Sequence, residues 1–140
     1  LPMILFLIGC CMSLATGSSW GTFAILIPIG FPIAAVMDTP LAVTVAAIIS
    51  GGVFGDQCSP ISDTTMLASM GSACDHIDHF RTQFPYACTV AAVSAVLYIA
   101  AGYMEKAWIV ALGALLLFAV VAVLHKISVR SLAKQEELQP

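Results

Sequence analysis

Charge is what this sequence most lacks. Five of its 140 residues are Lys or Arg and eight are Asp or Glu, so 9% are charged while 60% are hydrophobic. Soluble domains carry roughly 25% charged residues. A soluble chain of this size could not hide so much apolar surface in its own interior. With so few basic residues there is no positive patch for nucleic acid. The five cysteines (Cys10, Cys11, Cys58, Cys74 and Cys88) are odd in number and scattered, which argues against a disulfide framework. Most lie in or beside apolar runs, where a thiol behaves as a small hydrophobe. Also missing is the alternation over about ten residues that marks an outer-membrane barrel strand. No charged stretch precedes an apolar segment with a small-residue cleavage site, so the first residues do not read as a signal peptide. The class left standing is an all-α membrane protein.

Leu1 already lies inside an apolar run, which suggests one part of a longer protein. Residues 1–15 are apolar and stop at Thr16-Gly17-Ser18-Ser19-Trp20-Gly21-Thr22; residues 23–37 are apolar again and contain Pro28 and Pro32. Neither arm reaches the roughly 20 residues needed to span a bilayer. Residues 1–37 are therefore expected to form a re-entrant hairpin, its polar tip buried in protein. The plainer alternative is two ordinary helices joined at the surface, with Trp20 at the lipid interface. After Asp38, Thr39 is expected to cap a new helix whose first residue is Pro40. Residues 40–71 read as one broken transmembrane helix, since Pro60 cannot donate to the helical ladder and pushes Ser59 out of helical geometry. Residues 72–85 read as a polar connection. Residues 86–104 and 107–125 read as two full spans around a turn at Glu105 and Lys106, followed by a tail over 126–140. Lys126, Arg130 and Lys134 in that tail place it in the cytoplasm, and the 72–85 connection with it.

What is present, in place of charge, is a concentrated polar break. Gly55-Asp56-Gln57-Cys58-Ser59-Pro60-Ile61-Ser62-Asp63-Thr64-Thr65 sets two carboxylates and four hydroxyls among segments fit for lipid. Ionisable residues at membrane depth are costly and mark ion pathways or proton relays. Na+ favours hard oxygen ligands, and an unwound backbone adds carbonyls with no helical partner. The candidate ion ligands are Asp56 and Asp63 with the hydroxyls of Ser59, Ser62, Thr64 and Thr65. A carboxylate there can carry Na+ or a proton in turn, which is a mechanism for exchange. The bland reading is that Asp56 and Asp63 merely cap helix ends, Asp63 standing just before Thr64. The Thr16–Thr22 run, with Ser18 and Ser19, is the candidate tip that completes the site. Cys74-Asp75-His76-Ile77-Asp78-His79 invites a zinc reading, yet its spacing fits no common zinc pattern. An aqueous-end loop in which His76 and His79 respond to pH is the simpler view.

Those three motifs, the last extended by Thr82, Gln83, Pro85 and Tyr86, resemble the NhaC-type Na+/H+ antiporter family of the ion-transporter superfamily. In order and spacing they resemble the C-terminal part of a longer member. The resemblance implies half of an inverted-repeat transporter, with a re-entrant hairpin, one broken transmembrane helix and two full transmembrane helices. It implies that Asp56, Ser59, Ser62, Asp63 and Thr64 line the site, opposed by Ser18 and Ser19 at the tip. Family members often carry Thr where Ser18 stands and His where Gln57 stands. Ser keeps the hydroxyl, whereas Gln57 removes a titratable group. The expected activity is exchange of Na+ for H+ across the inner membrane by a multi-pass protein that is not an enzyme. No cofactor is expected beyond the transported ions. The expected partners are the lipid bilayer, an N-terminal half of the same transporter and, as an option, a second copy in a homodimer. The rival within the family is antiport of small organic acids such as malate and lactate, or of amino acids. An intramembrane aspartyl protease would need two carboxylates converging to share a proton, and Gly51-Gly52-Val53-Phe54-Gly55-Asp56 lacks that family's glycine pattern.

Overall fold

The computed structural model describes residues 1–103, 112–123 and 126, and the regular structure among them is helical. Residues 1–106 and 107–140 form separate compact units. The first holds α1 (Pro2–Thr16), α2 (Ser19–Val36), α3 (Leu41–Gln57), α4 (Asp63–Gly71) and α5 (His76–Tyr103). In the second, α6 (Leu112–Val123) is a short apolar helix. The turn expected at Glu105 and Lys106, residues 104, 107–111 and 124–125 of the two expected spans and the tail beyond Lys126 lie outside the described residues.

α1 and α2 form a tight helical hairpin. Gly17 ends α1 in the left-handed region, at φ 67°, and its N–H bonds to the Ser13 carbonyl. That conformation suits glycine, which has no Cβ to clash. Ser18 then caps α2 from an extended conformation, its Oγ accepting from the Gly21 N–H. The turn is therefore shorter than expected. Ser19 to Thr22 form the first turn of α2 instead of a polar loop, and the helix continues through Pro28 and Pro32.

Asp38, at φ 48°, turns the chain toward α3, a conformation short polar residues tolerate. The expected cap is not found here. The Thr39 hydroxyl turns back to the Met37 carbonyl, and α3 starts at Leu41 with Pro40 as a cap that makes no side-chain bond. α3 packs closely along α1 because small residues line the crossing. A Cβ on Gly55 would collide with the Cys10 carbonyl, and one on Gly51 with the Phe6 carbonyl. Around this crossing, Leu5, Leu26 and Ile48 form one buried cluster and Phe6, Cys10 and Ala47 another.

The expected break is present: α3 stops at Gln57 and α4 begins at Asp63. The connection to α5 is shorter than the expected 72–85. Asp75 Oδ1 accepts from the N–H groups of Ile77 and Asp78 at 2.9 and 3.2 Å, so the polar residues after it are the first turns of α5. Pro85 sits inside this helix. α5 leans on α1 and α3 through Tyr98, whose ring lies 5.3 Å from that of Phe6 and whose hydroxyl is 2.6 Å from Ser50 Oγ. Among the described residues, α2 and α5 are the two helices long and apolar enough to cross a membrane. Most of their apolar side chains face outward, as Ile25, Ile29, Val90, Val96 and Ile99 do.

Candidate functional site

Asp56 lies in the last turn of α3 and is 3% exposed. Three hydroxyls reach its carboxylate. Ser62 Oγ donates to Oδ1 at 2.8 Å, Thr64 Oγ1 donates to Oδ2 at 2.8 Å, and Ser19 Oγ approaches Oδ2 at 3.4 Å. Two of these donors come from the start of α4 and one from the start of α2, so the group exists only because both backbone interruptions are there. Ser62 caps α4, accepting from the Thr65 N–H at 3.3 Å while its own proton points at Asp56.

The hairpin turn touches the break directly. A Cβ on Gly17 would stand 2.8 Å from the Ile61 carbonyl oxygen. Thus the tip of α1 and α2 and the break of α3 and α4 share one location.

Ser62 Oγ and Thr64 Oγ1 also lie 2.8 Å from each other. Each hydroxyl has one proton to give. If both give it to an ionised Asp56, their oxygens face each other with lone pairs alone. A proton on the carboxyl, or a cation among these oxygens, removes that conflict. The surrounding side chains are neutral hydroxyls, and Arg81, on α5, is the one Lys or Arg in residues 1–103. The C-terminal end of α3 carries the negative end of its helix dipole, which also favours positive charge nearby.

The sequence candidates divide here. Asp56, Ser62, Thr64 and Ser19 are brought together. Asp63 is exposed, and its Oδ1 accepts from the adjacent Thr64 N–H at 2.8 Å. Ser18 caps α2. Ser59 is fully buried but accepts from the Ile61 N–H at 3.4 Å within the turn. Gln57 points away from the cluster and pairs with Gln83 of α5. Among the described residues, no group of three or more His, Cys, Asp or Glu could hold a metal ion.

Ser13 escaped the sequence reading, and Thr65 entered it only as one hydroxyl of the polar run. Ser13 Oγ and Thr65 Oγ1 are buried hydroxyls with no hydrogen-bond partner. Ser13 packs against Gly55, the neighbour of Asp56, and Thr65 follows Thr64. Ser13 gave no signal because it is a lone hydroxyl in an apolar helix. Thr65 belonged to the polar run but had nothing to separate it from its neighbours.

A family model described as the Na+/H+ antiporter family matches residues 1–103. The chain belongs to this family. A Haemophilus influenzae protein of uncharacterised function is 49% identical over 104 residues, which is 74% of this chain and 20% of that protein. The malate-2H+/Na+-lactate antiporter of Bacillus subtilis is 38% identical over 66% of the chain and 20% of its own length. The arginine/ornithine antiporter ArcD of Halobacterium salinarum is 41% identical over 66% of the chain and 19% of its own length. The chain thus spans about a fifth of the length of these relatives. No solved structure matches it. The family match covers α1 to α5, including every residue around Asp56.

Proposed function

We propose that this chain forms the ion-binding part of a secondary antiporter that exchanges Na+ for H+ across the cell's inner membrane. The observation that carries the reading is the buried Asp56 carboxylate, which takes hydroxyl ligands from two interrupted helices and has a neutral surround. In this state a single positive occupant is favoured, and Na+ and a proton compete for the same oxygens. Ser62, Thr64 and Ser19 supply hydroxyl oxygens for Na+. The unpartnered Ser13 and Thr65 hydroxyls, adjacent in sequence or packing, are further oxygens a cation could recruit. Thr64 is on the exposed side of the cluster, which gives ions a way in. The α1–α2 hairpin acts as the re-entrant element, and the remaining length of the transporter supplies the opposing half. The 72–75 connection faces the cytoplasm.

Exchange then follows from occupancy. If the transporter moves between inward- and outward-facing states only when Asp56 is loaded, Na+ bound on one side is traded for a proton bound on the other. Asp63 is placed outside this step, at the head of α4.

A second reading is antiport of small carboxylates or amino acids coupled to these ions. It is favoured by the names of the B. subtilis and H. salinarum relatives. Its organic-acid form is disfavoured by the single Lys or Arg in residues 1–103, since an organic anion needs neutralisation at membrane depth. The test is transport in vesicles containing the full transporter. Na+ alone should drive proton movement, and Asp56→Asn should abolish it without loss of expressed protein. Normal exchange by Asp56→Asn would sink the proposal. Proton movement that requires added malate, lactate or amino acid would favour the second reading.

A further inference from the structure

The Cys74–His79 cluster is not needed to hold an ion, yet one of its members reaches the break. His76 is the first residue of α5 and is half-buried. Its Nε2 lies 2.8 Å from the Pro60 carbonyl oxygen, and its Nδ1 lies 3.3 Å from Ser69 Oγ on α4. One ring therefore joins α5, α4 and the turn between α3 and α4. The other histidine does not: His79 Nδ1 faces Cys74 Sγ at 3.7 Å. Asp75 is committed to the start of α5 through the Ile77 and Asp78 N–H groups.

The donor at the Pro60 contact is fixed by chemistry. A carbonyl can only accept, so Nε2 must carry a proton. Ser69 gives its one proton to the Thr65 carbonyl at 2.8 Å, so the hold on the turn comes from Nε2 and not from Nδ1. The turn has few bonds of its own. Ser59 N–H reaches the Asp56 carbonyl at 3.1 Å and Ser62 N–H reaches the Ser59 carbonyl at 3.3 Å. Pro60 gives no N–H, so its carbonyl is the handle by which another element can hold the segment.

We propose that His76 is a positioning residue for the Asp56 site. Its Nε2–H clamps the Pro60 carbonyl and fixes the 58–62 turn in the shape that delivers Ser62 and Thr64 to the carboxylate. The clamp itself is a statement about the turn; its effect on transport rests on the proposed ion-binding role of Asp56.

The test compares three variants of the full transporter. His76→Gln can place an amide N–H near the position of Nε2. His76→Asn is shorter and reaches only the position of Nδ1. His76→Ala removes both. Two quantities are read: deuterium uptake over residues 59–66, and the Na+ concentration that half-saturates exchange. Loss of one such hydrogen bond should raise both by about tenfold in the Ala and Asn variants. Gln should return both to within about twofold of the parent. Rescue by Gln but not by Asn is the result a merely space-filling histidine would not give. If Gln and Asn behave alike, whether parental or equally impaired, the proposal is overturned. Failure of all three to fold also overturns it, because Gln keeps the essential donor. If deuterium uptake follows the expected order while no protein, the parent included, exchanges Na+, the clamp stands and the ion-site reading fails.

Discussion

Asp56 is an acid surrounded by hydroxyls with no base beside it, and most of the proposed chemistry follows from that arrangement. With Na+ among these oxygens, each of the two close hydroxyls can give the carboxylate a charge-assisted bond, the stronger kind. Ser62→Ala and Thr64→Ala should each raise the half-saturating Na+ concentration by about tenfold or more, from the roughly 1.5–3 kcal/mol of a hydrogen bond to a charged group. Initial-rate measurements across a Na+ series check this, and unchanged values in both variants would remove the hydroxyls from the site. Asp63→Asn should leave exchange within about twofold of the parent, because that side chain is exposed and bonds only its neighbour. Both acids stood out in the sequence, but their inequality did not. On an unbroken helix residues seven apart share a face. The turn at 58–62 resets the phase, so spacing no longer says which carboxylate looks inward. Ser13 was illegible for a related reason, since its burial depends on the glycine opposite it.

At the scale of elements, close backbone approach holds the two interruptions in register. Gly55→Ala would drive a methyl group into the backbone of α1, whose Leu14 nitrogen would stand 2.7 Å away. Overpacking of this kind costs about 1–3 kcal/mol, so the detergent-solubilised protein should unfold at a lower temperature. Gly71→Ala, with no atom within 4 Å of the added methyl, should leave the unfolding temperature unchanged or slightly raised. Equal effects from the two changes would contradict the packing described. The hairpin turn and the helix break were readable from Gly17 and from Pro60, residues whose backbone limits are local. Helix starts were less readable. Thr39 turned back toward Met37, and the polar residues from His76 to Gln83 passed for a loop, because a helix end in water and a connection share the same composition.

For the whole molecule, the outward apolar faces of α2 and α5 suit lipid or the rest of the transporter, as the family membership implies. The re-entrant proposal makes a prediction of its own. A thiol introduced as Ser18→Cys, in a background without the native cysteines, should react slowly with a membrane-impermeant maleimide and more slowly still with Na+ present. Fast labelling indifferent to Na+ would place the turn at an open membrane surface instead. Composition and apolar run lengths made the helical membrane class legible. The approach of the α1–α2 turn to the break was only an expectation, because contact between distant segments depends on packing that no local pattern encodes. The most direct measurement is proton release when Na+ is added to the purified full transporter in weak buffer. The parent should release protons as Na+ binds, and Asp56→Asn should release none. Equal release by the two proteins would contradict the claim that Asp56 is where the proton and Na+ trade places.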